Sequence, residues 1–182
     1  MASVPLRGDP LLLRPIDLAF ADSAPYACIH DADVAAAPDA VFAALADMES
    51  WPKRFGAGVT GEWVTSPPHG IGSVRAVHSG ALFLVEAFVA WEPGARFSFA
   101  VLEANVPFAR AMLEDWRIVP TRRGSRVTYA IYYEPPWWLR PFARRVLRRI
   151  EREAMSTLAN LTQWTERSTP SPWPSPCGRG PG

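Results

Sequence analysis

The stretch EPPWWLRPFARRVLRRIEREAMSTLANLTQW, from Glu134 to Trp164, contains a long amphipathic helix that decides how the rest of the chain must pack. Apolar residues recur along it at steps of three and four, which is the spacing of one helix face. They are Leu139, Ala143, Val146, Ile150, Ala154, Leu158 and Leu161. The pattern predicts a helix from Trp138 to Thr165 with one buried stripe, so a second layer must cover that stripe.

A row of arginines follows the same helix and raises the question of a charged partner. Its members are Arg140, Arg144, Arg145, Arg148, Arg149 and Arg152. The net charge of the chain is only +1, and Glu151 and Glu153 interrupt the row, so we expect no nucleic-acid partner. The row follows Trp137 and Trp138, so weak membrane contact through these residues and Arg140 to Arg152 remains an alternative to a merely solvated face.

Length and composition predict one globular domain. The chain has 182 residues, of which 48% are hydrophobic, enough for a real core. We expect an N-terminal arm over residues 1–25, a ligand-binding domain over 26–167, and a disordered Pro/Ser/Gly tail over 168–182. The two cysteines suggest no disulfide framework, and no signal peptide or membrane span is evident, so the expected location is cytoplasmic.

Before the long helix, the periodicity changes to that of strands. YACIHDADVAA suits a first strand, and APDAVFAALADMESWPKRF suits two short helices separated at Trp51 and Pro52. Six strand-length segments with alternating patterns follow, separated by turn signals such as PPHGIG, EPG and TRRG. The sequence therefore predicts a meander of six strands, with a seventh preceding the short helices.

This order of elements, together with several fold-shaping patterns, resembles the SRPBCC superfamily. The patterns are APDAVFAALADMESWP, GIGSVRAVHSG, VEAFVAWEPGARFSF, WRIVPTRRGSRVTYAIYY and MSTLANLTQWTE. The superfamily contains START-like, helix-grip proteins, including polyketide cyclase/dehydrase and lipid transport-like proteins. The resemblance implies an α+β helix-grip fold, in which a curved seven-stranded antiparallel sheet wraps round the long C-terminal helix. It also implies two short helices between strands 1 and 2, and a ligand cavity between sheet and helix.

Polar residues on alternating strand positions are the catalytic candidates. Glu86, Glu103 and Glu114 fall on three adjacent strands, with Tyr129 and Tyr133 one strand further. A carboxylate in apolar surroundings gains proton affinity and can remove a proton next to a carbonyl, while a tyrosine hydroxyl can hold the developing oxyanion. We therefore predict Glu86 or Glu114 as base and Tyr129 or Tyr133 as donor. The alternative is that the glutamates are solvated outward residues, Glu103 above all.

Large rings and the stripe of the last helix are the candidates for ligand binding. They are Trp51, Phe55, Trp63, His78, Phe88, Phe97, Phe99, Trp116, Trp138, Val146, Ile150 and Leu158. The rings either line a cavity for flat or long apolar ligands or simply fill the core. His78 reaches the cavity only if Val74 and Ala76 point inward.

No metal or cofactor is expected. Cys28 and His30 share one strand face, but two ligands do not make a metal site, and His69 and His78 add no ligand spacing. The segment GIGSVR lacks the third glycine and the following helix of a dinucleotide-binding motif.

The predicted function is binding of a hydrophobic or aromatic small molecule, polyketide- or lipid-like, in the internal cavity. The protein then acts either as a cofactor-independent cyclase or dehydratase, or as a non-catalytic lipid or quinone binding or transfer protein with peripheral membrane contact. The sequence leaves the choice between enzyme and binding protein open, together with the oligomeric state.

Overall fold

The computed structural model describes residues 11–168, with side chains described as far as residue 165. The predicted tail lies outside these residues except for Ser168, the last residue of the final helix. The elements, in chain order, are β1 (Leu11–Leu12), α1 (Phe20–Ser23), β2 (Tyr26–Val34), α2 (Pro38–Ala46), α3 (Trp51–Phe55), β3 (Val59–Trp63), β4 (Val74–Ser79), β5 (Leu82–Glu92), β6 (Arg96–Ala104), β7 (Ala111–Thr121), β8 (Gly124–Glu134) and α4 (Ala143–Ser168).

The strands form one antiparallel sheet in the order β2-β8-β7-β6-β5-β4-β3. The helix-grip prediction is confirmed, because β3 to β8 form the meander and β2 joins its far end beside β8. The short strand β1 pairs with β6 and makes the sheet eight-stranded rather than seven-stranded. Two residues carry no detectable alternation, so sequence periodicity missed β1.

The helix α4 covers one face of the sheet, which we call the inner face. Ala154, Leu158 and Leu161 of α4 belong to the same buried core as rings from β5, β6 and β7. Among the strands, α4 packs most extensively on β2. No helix within residues 11–168 is both long enough and apolar enough to cross a membrane.

The predicted amphipathic character of α4 is confirmed, but its buried stripe differs by one position near the start of the helix. Arg144, Arg145, Arg148 and Arg149 are exposed and Leu158 is buried, as expected. Val146 and Ile150 are only half-buried, and Leu147 rather than Val146 packs on the core. Pro141 lies in a 3₁₀ segment over Trp137–Phe142, so the α-helix begins at Ala143 instead of Trp138.

The opposite face of the sheet is partly covered by the residues before β2. Phe20 packs in a second core with Leu113 and Tyr132. Backbone hydrogen bonds from Leu13 to Leu102 and from Arg14 to Arg110 hold this segment against the sheet. The inner face is therefore left to α4 and the short helices.

Candidate functional site

Strand register brings four polar residues together on the inner face. Glu86 lies opposite Arg75 on β4, and Glu114 lies opposite Ile131 on β8. Tyr129 lies opposite Trp116. Directly opposed residues in an antiparallel sheet point to the same side, so Arg75, Glu86, Glu114 and Tyr129 share one face. We call these four residues the inner polar cluster.

A buried ion pair forms one half of the inner polar cluster. Arg75 Nε donates to Glu86 Oε2 at 2.6 Å, and both side chains are at most 4% exposed. The guanidinium carbon of Arg75 also lies 4.2 Å from the centre of the Phe99 ring and 4.8 Å from that of Trp51. The pairing and the ring faces offset part of the cost of burying this cation.

Arg75 is the member of the inner polar cluster that is not among the candidates predicted from the sequence. The predicted role of His78 requires Val74 and Ala76 to point inward, whereas Arg75 and Val77 point inward. His78 consequently points to the other face, where its ring lies 4.7 Å from that of Phe83. The proposed cavity role of His78 loses its geometric basis, because the condition on Val74 and Ala76 is not met.

A carboxyl–hydroxyl pair forms the other half of the cluster. The Tyr129 hydroxyl donates to Glu114 Oε2. The Tyr129 ring stacks on Trp116 at 3.7 Å, with 13° between the ring planes, which fixes the direction of the hydroxyl. Glu114 is closely surrounded by other groups but, unlike the other three members, it remains only half-buried. It is therefore the member most open to an incoming molecule.

The surroundings of Glu114 bring the pKa of its carboxyl group close to neutral pH. Burial, followed by the charge of Glu86, raises the pKa of Glu114 to about 7, although the Tyr129 hydrogen bond and Arg75 oppose the change. Burial and then the Glu114 charge raise the pKa of Tyr129 well above its ordinary value. Tyr129 thus remains a neutral donor, while Glu114 can release and accept a proton.

Two of the predicted polar candidates lie elsewhere. The Tyr133 hydroxyl donates to the backbone carbonyl of Phe108 at 2.5 Å, and burial raises the pKa of Tyr133 to about 12. The Tyr133 hydroxyl therefore forms a structural hydrogen bond to the segment before β7. Glu103 pairs with Val85 because a bulge shifts the register, so it leaves the face that carries Glu86.

Most of the predicted ligand-binding rings do gather on the inner face. Phe88 is the centre of this group, with ring distances of 4.8 Å to Phe97, 5.5 Å to Trp63 and 5.7 Å to Phe99. Phe55 lies at the edge, 6.1 Å from the Trp51 ring. Trp138 is 46% exposed in the segment before α4. We call the rings of Trp51, Trp63, Phe88, Phe97, Phe99 and Trp116 the aromatic box.

The predicted internal cavity stays a prediction. Two depressions of about 450 and 480 Å³ lie on the described surface, one beside Arg14 and Phe20 and the other beside Asp33 and Arg126. Neither is lined by the inner polar cluster. The rings of the aromatic box pack in the same buried core as Ala154, Leu158 and Leu161 of α4.

The comparison with known families agrees with this architecture. Residues 30–163 match the model of the family described as polyketide cyclase / dehydrase and lipid transport. An uncharacterised protein of Mycobacterium tuberculosis, Rv2574, is 31% identical over 117 residues, which cover 64% of this chain and 70% of that protein. The chain belongs to the polyketide cyclase/dehydrase and lipid transport family. Membership supports a role in ligand binding or cyclisation.

Solved structures show the same fold at low sequence identity. TTHA0849 from Thermus thermophilus is 18% identical with a TM-score of 0.66, and the match covers 80% of this chain and all of that one. The Zhui aromatase/cyclase of a Streptomyces species is 19% identical with a TM-score of 0.62, covering 78% and 94%. The structure of Ara h 8.0201 also matches, with 12% identity, a TM-score of 0.61 and coverage of 77% and 97%.

Proposed function

We propose that the protein binds a flat, largely apolar molecule carrying a carbonyl or carboxylate oxygen, polyketide- or lipid-like, against the aromatic box. The observation that carries this proposal is a buried donor. Arg75 Nη1 has no hydrogen-bond partner within residues 11–168, although the side chain is only 3% exposed. An unsatisfied buried donor is costly, and an oxygen of the ligand would satisfy it.

The neighbouring groups support chemistry on that ligand. An oxygen held by Arg75 would be the oxygen on which negative charge develops when a proton leaves the adjacent carbon. Glu114 in its ionised form takes that proton, and Tyr129 keeps the carboxyl group oriented through its hydrogen bond. In its protonated form Glu114 can instead supply a proton to a departing hydroxyl group. This division of roles fits a cofactor-independent cyclase or dehydratase.

The test is binding of 2-naphthoate, an aromatic carboxylate, followed by quenching of tryptophan emission. Trp51 and Trp116 lie in the aromatic box, so a bound naphthalene ring should quench them. We expect saturable one-to-one binding of 2-naphthoate and weaker binding of 2-ethylnaphthalene, which has the rings without the carboxylate. Equal binding of both molecules would contradict recognition by Arg75.

Non-catalytic lipid binding or transfer at a membrane is the second candidate, and one observation favours it. Trp137 is 75% exposed and Phe142 is 60% exposed, and the exposed Arg144 and Arg145 follow directly. Exposed aromatic side chains beside arginines are typical of a surface that contacts anionic headgroups.

Vesicle sedimentation separates this surface from an ordinary solvated one. At low salt, we expect anionic phosphatidylserine vesicles to retain more protein than neutral phosphatidylcholine vesicles. The combined change Trp137→Ser and Phe142→Ser should abolish the difference. The matched control is Met155→Ser, since Met155 is 54% exposed further along α4. Equal retention by both vesicle types would remove membrane contact from the account.

A further inference from the structure

We propose that Cys28, His30 and Glu151 form a metal site of the zinc class that joins β2 to α4. Cys28 Sγ, a ring nitrogen of His30 and a carboxylate oxygen of Glu151 all lie within 4.8 Å of one another. Two of these residues come from a strand and one from a helix, so the site exists only in the folded chain. Its three residues are not members of the inner polar cluster, although His30 lies opposite Tyr129 in the sheet, and the site needs no bound small molecule.

The strand supplies two ligands because of its alternation. Cys28 lies opposite Ile131 and His30 lies opposite Tyr129, so both side chains point to the inner face. Cys28 is buried, and the His30 side chain is 21% exposed. The helix α4 runs over this strand and brings Glu151, with a half-exposed side chain, to the same point. The site therefore combines a buried thiol with two ligands, His30 and Glu151, that are accessible to solvent.

Two of the three distances between the ligand atoms are close to those in a zinc coordination shell, and the third is at most 4.8 Å. Cys28 Sγ and His30 Nε2 are 3.1 Å apart, and His30 Nε2 and Glu151 Oε1 are 3.8 Å apart. Zinc bonds of about 2.0 to 2.3 Å in a tetrahedral arrangement place neighbouring ligand atoms about 3.4 to 3.6 Å apart. Both observed distances lie within about half an ångström of that range. Three protein ligands would leave the fourth position for water.

A hydrogen-bonded triad describes the arrangement of these three residues less well than a metal site does. Both contacts of His30 use the same atom, Nε2, whereas a nucleophile–base–carboxylate triad uses the two different ring nitrogens. The Nε2 atom forms its hydrogen bond with Cys28, whereas its distance to the Glu151 carboxylate is too long for a hydrogen bond.

The set of donor atoms indicates the class of metal. A thiolate with an imidazole favours zinc over magnesium and calcium, which prefer oxygen ligands only. A bound ion would fix α4 on β2, and α4 is the element that covers the aromatic box. The expectation of no metal rested on Cys28 and His30 alone, because Glu151 is far away in the sequence.

Cobalt titration tests the site in the full chain, purified without a histidine tag and treated with a chelator. The protein carries Cys177→Ser, so that Cys28 is the sole thiol. We expect one equivalent of Co²⁺ to bind with a thiolate-to-cobalt charge-transfer band in the near ultraviolet, and Zn²⁺ to displace it. Cys28→Ser should remove the band. Glu151→Gln should weaken the affinity by more than about tenfold, whereas the control Glu153→Gln, on an exposed position of α4, should leave it unchanged.

Zinc should also raise the thermal midpoint of unfolding, since only the folded chain assembles the three ligands. Circular dichroism checks that each variant folds. If Cys28→Ser does not fold, the comparison of Glu151→Gln with Glu153→Gln still decides the matter, because both positions lie at the surface of α4. Absence of the band in excess Co²⁺, its persistence in Cys28→Ser, or equal affinities of the two glutamine variants would overturn the proposal.

Discussion

Arg75→Met is expected to lower the free energy of unfolding by about 3 to 5 kcal/mol, the cost of leaving a buried charge unpaired. Glu86 keeps its carboxylate at 4% exposure, and its charged partner at 2.6 Å is lost. The contacts of the guanidinium with Phe99 and Trp51 are lost as well. Urea denaturation measures the change, provided that the transition stays two-state.

The double variant Arg75→Met with Glu86→Leu should recover most of this loss. An apolar pair of similar volume replaces the ion pair, and such replacements are often neutral or stabilising. The control is Arg126→Met, which breaks an exposed pair with Asp33 and should leave the free energy of unfolding nearly unchanged, because solvent screens the pair. If Arg75→Met lowers the free energy of unfolding no more than Arg126→Met does, the result would contradict the buried ion pair of Arg75 and Glu86.

Glu114→Gln is expected to lower the rate of proton removal from a bound ketone by roughly a hundredfold to ten-thousandfold, the usual cost of losing a general base. The measurement is deuterium exchange at the methyl group of 2-acetylnaphthalene, followed by NMR. Glu114 takes a proton from that carbon and returns a deuteron from solvent, so the exchange needs no other reactant. Binding of the ketone should hardly change, because the substitution keeps the shape of the side chain.

The rate in the unaltered protein should depend on pH in a set direction. Glu114 acts as a base only when ionised, and its pKa is raised to about 7. The rate should therefore rise as the pH passes through about 7 and level off above it. Glu103→Gln is the control, since Glu103 lies on the other face and should leave rate and profile unchanged. Equal exchange in the two glutamine variants would leave binding as the function.

The sequence predicts the fold well because each large element has a strong period. The turn signals separate β3 to β8, and the stripe of α4 defines its buried side. The apolar spacing predicts too early a start for α4, because it does not distinguish the 3₁₀ segment around Pro141 from α-helix. The strand β1 is stabilised by pairing with β6, which is a long-range contact. A pattern of two residues is too short to predict it.

The site is less predictable, because it depends on strand phase and long-range contacts. Arg75 was recoverable in principle: Ser79 pairs with Leu82 across a two-residue turn, and counting outward from that pair places Arg75 opposite Glu86. The bulge that turns Glu103 away leaves no comparable mark in the sequence. Glu114 and Tyr129 were both named as candidates, but their direct hydrogen bond depends on register between β7 and β8.

The most direct test of ligand recognition by the inner polar cluster compares 2-naphthoate binding by the unaltered protein and by the stable double variant Arg75→Met with Glu86→Leu. A hydrogen bond to a charged group contributes about 1.5 to 3 kcal/mol, so affinity should fall by roughly tenfold to a hundredfold. Affinity for 2-ethylnaphthalene should stay the same, because the aromatic box is retained. Tryptophan quenching gives both values. Equal affinity of the two proteins for 2-naphthoate would contradict the account.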